Sequence, residues 1–66
     1  MIMINLAENL RMLRKSKGMS QKQLADLLNV SQRSVSDWEN KVTEPNLLYI
    51  AKLCEIFDES FDSIIR

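Results

Sequence analysis

The sequence predicts an all-α fold, a compact bundle of five helices. Apolar residues recur every three or four positions over most of the chain, which is the spacing of one helix face. Only one glycine and one proline interrupt this pattern, and strand-like alternation is confined to Met1 to Ile4. The 66 residues suffice for one domain, spanning 1–66, and leave little chain to enclose a large pocket.

The first helix is predicted from about Leu6 to Lys17. Asn5 is expected to cap its N-terminus, with Glu8 three residues later completing a capping box. Gly18 then supplies the left-handed conformation that ends a helix. The apolar stripe that faces the core is predicted to comprise Leu6, Leu10 and Leu13.

The second helix is predicted from Gln21 to Leu28, because Ser20 and Gln23 form a capping box of the S-x-x-Q type. Asn29, which tolerates the left-handed conformation, is expected to end it. The predicted apolar face contains Leu24, Ala25, Leu27 and Leu28.

The third helix is predicted from Gln32 to Glu39 or Asn40, with Ser31 as its N-cap. Only Val35 and Trp38 within it are apolar. A helix this short and polar has little core to hold it, so its exposed face calls for a functional explanation.

The fourth helix is predicted from Leu47 to Phe57, after Pro45 and with Asn46 as its cap. The fifth is short, from Phe61 to Ile65, and is capped by Ser60. The apolar face of the fourth helix is predicted to comprise Leu47, Ile50, Ala51, Cys54 and Phe57.

The composition excludes several classes of function. With no histidine and one cysteine, Cys54, the chain offers neither a zinc site nor an internal disulfide, and we expect no metal or cofactor. It has no glycine-rich phosphate loop and no nucleophile with a base at motif spacing, so we expect no enzyme. No apolar run approaches the roughly 20 residues that span a membrane, and Met1 to Ile4 is too short for a secretory signal. These features predict a soluble cytoplasmic protein.

The net charge is zero but is unevenly divided along the chain. Residues 1–41 carry seven basic and four acidic side chains, a balance of +3, and residues 42–66 carry two and five, a balance of −3. A basic half joined to an acidic half is consistent with a polyanionic partner on one face, but the charge alone favours two ordinary solvated faces.

The connection between the second and third helices is the most specific functional signal. Three residues, Asn29 to Ser31, join them, which is the turn length of a helix-turn-helix. Ala25 is small enough to let the two helices approach closely. The side chains predicted to face inward together are Leu24, Leu28, Val30, Val35 and Trp38.

The stretch SQKQLADLLNVSQRSVSDWEN, residues 20–40, resembles the Cro/repressor-like helix-turn-helix domains, also called the XRE family. Pro45 and the segment LLYIAKLCEIFD resemble the start and body of the family's fourth helix, and the resemblance extends from Leu6 to Ile65. It implies a lambda-repressor-like DNA-binding domain whose third helix lies in the DNA major groove.

The resemblance also implies roles for individual residues. Gln32 and Arg33 open the recognition helix, where glutamine suits adenine and arginine suits guanine. Ser36 and Asp37 lie one turn further on and are expected to touch bases or phosphates. Gln21 opens the second helix, where the family contacts a phosphate through the helix N-terminus, and it also has the position to brace Gln32. Contacts to the DNA backbone, or bracing, are implied for Gln21, Lys22, Lys41 and Thr43.

Other implied roles are structural. Arg14 and Glu39 match a partly buried ion pair of several relatives, and Trp38 is expected in the core rather than against bases. The chain departs from the family at four positions. Asn29, Lys41 and Asp58 stand where the family often has glycine, and Glu59 stands where an apolar residue is usual. Two interpretations stay open for Arg11, Lys15 and Lys17, which form either a solvated helix face or phosphate contacts.

The sequence therefore predicts a sequence-specific double-stranded DNA-binding regulator, a repressor acting as a homodimer on a near-palindromic operator. The alternative is a protein-interaction module or antitoxin with the same fold, which the neutral net charge favours. Met1 to Ile4 is expected either to fray or to pack against the fifth helix or a partner subunit. The dimer interface is expected near the fifth helix, at Phe61, Ile64 and Ile65.

Overall fold

A computed structural model describes residues 5–66, and these residues form five α-helices and no strand, as predicted. The helices are α1 (Leu6–Ser16), α2 (Gln21–Leu28), α3 (Gln32–Glu39), α4 (Leu47–Phe57) and α5 (Phe61–Ile65). Only α1 departs from its predicted bounds, ending one residue earlier. The expectations for Met1 to Ile4 lie outside the described residues. No helix among the described residues has the length and hydrophobicity to cross a bilayer.

Four of the five helices begin at a residue whose side chain caps the first turn. In each case an oxygen of the N-cap side chain accepts the backbone N–H three residues later, which satisfies one unpaired donor of the helix end. The capping box predicted for Ser20 and Gln23 is present in both directions, at 3.0 and 2.7 Å. The four caps are Ser20, Ser31, Asn46 and Ser60.

The cap predicted for α1 is wrong. The side chain of Asn5 accepts no bond from α1; its amide donates instead to the carbonyl of Arg66, and its backbone N–H donates to the carbonyl of Ile65 at 3.2 Å. Asn9 adds two bonds to carbonyls of α5, the shorter at 2.9 Å. The last carbonyls of a helix need donors from elsewhere, and Asn5 and Asn9 supply them, so the start of α1 serves as the C-terminal cap of α5.

Four helices end in the same way, with one residue in the left-handed conformation. Each time the next N–H reaches back to the carbonyl five residues earlier, as Met19 does to Arg14 at 3.0 Å. Only one of the four residues is a glycine, and the others occupy the positions at which the family often has one. They are Gly18 (φ 68°), Asn29 (φ 56°), Lys41 (φ 63°) and Asp58 (φ 53°).

The core lies between all five helices, and the apolar faces predicted for α2 and α4 are partly wrong. Leu27 is 59% exposed rather than buried, and Leu47, at 60%, is exposed as well. Ala51 is also exposed, and Leu53 is fully buried in its place, because α4 packs through positions 50, 53 and 57 rather than through 47 and 51. The buried core cluster comprises Leu6, Leu10, Leu24, Ala25, Leu28, Val35, Trp38, Leu53, Phe57 and Ile64.

Trp38 is a core residue, as predicted, and its ring packs α3 against α4. Its side chain is buried, and its ring lies 5.7 Å from that of Tyr49 at an interplanar angle of 42°. Tilted aromatic pairs at this distance stabilise a core beyond the area that they bury. This contact therefore holds α3 against α4 within the core.

Candidate nucleic-acid interface

The turn between α2 and α3 places the recognition helix. Asn29 takes the left-handed conformation, and the N–H of Val30 donates to the carbonyl of Ala25 at 3.0 Å, so the chain turns sharply without leaving polar groups unpaired. Ala25 is buried, and the absence of a larger side chain lets the helices pack closely. The apolar side chains of α2 and α3 lie in one core, which fixes the angle between the helices.

The outward side of α3 carries the four residues predicted to read bases. Gln32 and Arg33 are exposed, and Ser36 and Asp37, one turn further on, are half-buried. Positions spaced by four residues share one side of a helix, so these side chains form a single polar surface. Within residues 5–66, the Gln32 amide makes no hydrogen bond, which leaves its donor and acceptor available.

Two of these side chains interact with each other. Nε of Arg33 lies 3.8 Å from a carboxylate oxygen of Asp37, and the Arg33 side chain is 86% exposed. A pair so open to water is weak, so it orients the guanidinium without preventing its release to another partner. The Ser36 hydroxyl accepts from the Asn40 amide at 3.2 Å, which ties it to the C-terminal end of the helix.

Beneath this surface, the carboxylate of Glu39 joins three helices. Arg14 from α1 donates to it through Nε at 2.7 Å and Nη2 at 3.1 Å, which confirms the implied ion pair. Gln21 from α2 donates at 3.2 Å, and Arg11 from α1 donates through Nε at 3.4 Å. The Glu39 side chain is fully buried. A buried carboxylate is tolerated here because the hydrogen bonds from the arginines and the glutamine replace those that it would make to water. We call these four residues the Glu39 cluster.

The Glu39 cluster keeps its carboxylate ionised. Burial raises the pKa of Glu39, but the hydrogen bonds from the two arginines and the glutamine outweigh it, and the net pKa lies below the ordinary value. The same hydrogen bond raises the pKa of Arg14. The pair is therefore charged throughout the physiological range.

The suggested brace between Gln21 and Gln32 is wrong. The Gln21 amide donates to Glu39 instead, because the carboxylate is a stronger acceptor within reach. Gln21 thus ties the start of α2 to the end of α3, and it leaves Gln32 free.

The remaining residues implied as backbone contacts lie on exposed positions beside α2 and α3. Lys22 pairs weakly with Asp26 at 3.7 Å on the surface of α2. Lys41 lies in the turn after α3, and its ammonium group is 3.8 Å from Glu8. The N–H of Thr43 donates to the carbonyl of Asp37 at 3.4 Å, so this turn is attached to the recognition helix.

The family profile described as helix-turn-helix matches residues 10–64, which is most of the chain. The chain belongs to the XRE family of helix-turn-helix domains. Membership makes it a DNA-binding domain of the transcriptional-regulator type, and this family is not a class of enzymes.

Individual XRE relatives agree with this assignment. The SPbeta prophage-derived uncharacterized HTH-type transcriptional regulator YonR of Bacillus subtilis (strain 168) is 34% identical over 59 residues, which cover 89% of this chain and 55% of that protein. A crystal structure of a transcriptional regulator from Listeria innocua is similar with a TM-score of 0.87 and 35% identity, over 91% of this chain and 56% of that chain. The chain therefore spans about half the length of these relatives.

The three residues predicted for the dimer interface differ in how deeply they are buried. Ile64 is 1% exposed and belongs to the core, so its side chain has almost no surface to offer to a partner subunit. Phe61 and Ile65 are half-buried, and Ile65 packs against the core. The apolar side chains that α4 exposes, Leu47 and Leu48, were not predicted as surface residues; Leu47 was placed in the core.

From the sequence, Arg11 was open to two interpretations, a solvated residue or a phosphate contact, and its contact with Glu39 was not predicted. Its spacing of three from Arg14 places both arginines on neighbouring positions of α1, and that spacing was the available signal. Their shared acceptor, Glu39, lies 28 residues away from Arg11 in the sequence, so the contact depends on how α1 packs against α3.

Proposed function

We propose that this domain reads the sequence of double-stranded DNA through α3 and acts as a homodimeric repressor on a near-palindromic operator. The observation that carries the proposal is the outward surface of α3. Its side chains are polar, those of Gln32 and Arg33 are exposed, none belongs to the core cluster, and a buried tryptophan and the Glu39 cluster hold the helix beneath them. A rigid helix with free donors and acceptors is what base recognition in the major groove requires.

The hydrogen-bonding groups of these side chains indicate which base each would contact. Arg33 suits guanine, because its guanidinium presents two donors to O6 and N7. Gln32 suits adenine, because its amide offers one donor and one acceptor. Asp37 suits the amino group of cytosine, and release of its weak pair with Arg33 costs little in exchange for such contacts.

Contacts to the DNA backbone are assigned to the residues beside α3. The first N–H groups of α2 have no acceptor within their helix, and the end of a helix attracts anions, so a phosphate is placed near Gln21. Lys22, Lys41 and Thr43 are exposed on either side of the recognition helix and supply further phosphate contacts. Such contacts set the register of the protein on DNA without adding sequence information.

A homodimer follows from the small size of the reading surface. One recognition helix contacts only a few base pairs, and two helices about one turn of DNA apart read two half-sites roughly 10 base pairs from centre to centre. Phe61 and Ile65 are assigned to the interface together with Leu47 and Leu48 on α4, which packs against α5. We further assign residues 1–66 to one domain with residues 20–40 as its helix-turn-helix core, in a cytoplasmic protein.

The test is selection of bound sequences from a random duplex library at near-physiological salt. An inverted repeat with centres about one helical turn apart is the expected result. Recovery of no motif above background would overturn the proposal.

The second candidate is a protein-interaction module or antitoxin on the same fold. The zero net charge favours it, as do Leu47 and Leu48, which are large apolar residues exposed on one helix. Binding of DNA predicts a steep loss of affinity with rising salt, because neutralised phosphates release counterions. The interaction module predicts weak DNA binding without sequence preference, and a protein partner that is displaced by substitution of the two leucines.

A further inference from the structure

The charges of the Glu39 cluster do not cancel. Two guanidinium groups share one carboxylate, so the cluster carries a surplus of one positive charge. A buried surplus charge is costly, and it is tolerated where one of the charged groups reaches solvent. The question is which arginine carries the surplus.

Arg14 is fully occupied. Its Nε and Nη2 bind Glu39 at 2.7 and 3.1 Å, its Nη1 donates to the carbonyl of Met19 at 2.7 Å, and its side chain is only 9% exposed. No face of this guanidinium is left for a ligand. Arg14 is the internal partner of Glu39.

The Arg11 side chain is held by Glu39 and is still accessible to solvent. Only its Nε is engaged, at 3.4 Å from Glu39, and half of its side chain is exposed. Its two terminal nitrogens make no hydrogen bond within residues 5–66. Anchoring through Nε removes much of the conformational freedom of a long side chain before any ligand arrives, which lowers the entropic cost of binding.

The open guanidinium lies beside the start of α2. Nε of Arg11 and Nε2 of Gln21 donate to the same oxygen of Glu39 at 3.4 and 3.2 Å, so the two nitrogens are no more than 6.6 Å apart. Gln21 is the residue at which a phosphate of the DNA backbone is proposed. A planar fork of donors with an uncompensated charge matches both the geometry and the charge of a phosphate.

We infer that Arg11 contacts a backbone phosphate of the bound DNA, and that Glu39 positions it for this contact. The inference rests on the proposed DNA binding and adds a contact from α1 that the recognition helix does not supply. Because the contact is to phosphate, it contributes equally to operator and non-operator DNA.

The experiment measures affinity as a function of salt for the parent, Arg11→Ala and Arg11→Lys, on the selected operator and on a scrambled duplex of equal length. Loss of one phosphate contact makes the slope of log K against log salt less steep by about 0.9, so the loss of one contact from each protomer of the dimer makes it less steep by about 1.8. Arg11→Ala is expected to show this change and the same fold-loss on both duplexes, and Arg11→Lys is expected to restore most of the slope. Arg66→Ala is the matched control, since Arg66 is an exposed arginine paired with Asp62 on α5, and its slope is expected to equal the parent's.

Three results would overturn the inference. One is an unchanged slope in Arg11→Ala, with or without a lower melting temperature, which would give Arg11 a structural role only. Another is a loss confined to the operator, which would make Arg11 a base-reading residue. A parent without salt-dependent binding would overturn the proposed function and this inference together, whereas the first two results leave the proposed function intact.

Discussion

At the scale of single residues, the buried carboxylate of Glu39 is the point at which hydrogen bonds from α1 and α2 meet the end of α3. Arg14 and Arg11 both donate to it, but only Arg14 is buried with it. Removing the buried partner of an ion pair leaves an uncompensated charge, whereas an exposed partner is replaced by water. The two arginines therefore differ in what they contribute to stability.

Arg14→Ala is expected to lower the free energy of unfolding by about 3–5 kcal/mol, because it strands the Glu39 carboxylate. In a domain of this size that loss is a large part of the total stability. The measurement is urea unfolding followed by circular dichroism. Arg11→Ala is the matched control and is expected to cost about 1 kcal/mol or less. Equal losses in the two variants would contradict the division of roles.

The lowered pKa of Glu39 makes stability depend on pH in a defined direction. A carboxyl whose pKa is depressed on folding contributes stability above its unfolded pKa, about 4.3 for glutamate, and loses that contribution as the pH falls through the folded value. The parent is therefore expected to lose stability on acidification below about pH 4.3, as measured by urea midpoints from pH 6 to pH 2. Glu39→Gln should show a shallower decline over this window, and an identical decline would refute the assignment.

The ion pair of Arg14 with Glu39 was predictable from the family resemblance, but the rest of the cluster was not. The Gln21 amide donates to Glu39, 18 residues away in the sequence, and only the packed positions of α2 and α3 bring the two side chains together. The contact of Arg11 joins residues far apart in the chain. Side-chain partners of this kind depend on tertiary geometry, which a local sequence pattern does not contain.

At the scale of the helices, the boundaries follow from local chemistry, and for this reason the sequence predicted them well. Caps such as Ser20 and Ser31 bond to residues three positions away, so the signal lies within one turn. Asn5 is the exception, because its side-chain amide donates to the carbonyl of Arg66, just after α5, and Asn5 makes no side-chain cap bond to α1. The face of α4 was mispredicted because apolar residues surround that helix, which weakens the periodic signal.

Lys41 ends α3 in a conformation that suits glycine better. Its φ of 63° costs a residue with a side chain roughly 1 kcal/mol. The exposed ion pair with Glu8 adds little stability to offset this cost. Lys41→Gly is expected to raise the free energy of unfolding by about 0.5–1 kcal/mol, after allowance for the greater entropy of glycine in the unfolded chain. Thermal unfolding measures the change.

Asn29→Gly is the control for this prediction. Asn29 has nearly the same φ, but asparagine tolerates the left-handed conformation, so a smaller gain is expected. A gain at Asn29 as large as that at Lys41, or a loss at Lys41, would show that backbone conformation is not what limits stability at the end of α3.

At the scale of the whole molecule, the fold class was confirmed because helix periodicity, caps and turn length agreed with one another. The outward side of α3 was predicted for the same reason, since a polar helix within a helix-turn-helix has one side left to expose. Assembly was less predictable. Ile64 proved to be core, and Leu47 proved to be exposed, because burial in a five-helix bundle depends on the rotation of α4 and α5.

Self-association tests the proposed interface. Leu48→Glu places a charge on an exposed position of α4, so it is expected to leave the fold intact and to weaken the dimer, as measured by sedimentation equilibrium. Leu27→Glu, at a similarly exposed position of α2, is the matched control and is expected to associate as the parent does. Dissociation by Leu27→Glu alone would move the interface to α2.

The most direct measurement of the central claim is a parallel selection from one random duplex library with the parent, Arg33→Ala and Lys22→Ala. If α3 reads bases, Arg33→Ala loses about 1–3 kcal/mol of discrimination at a single guanine in each half-site and keeps the rest of the motif. Lys22→Ala recovers the parent's motif at lower affinity, because a phosphate contact carries no sequence information. An unchanged motif from Arg33→Ala would contradict the assignment of base reading to α3.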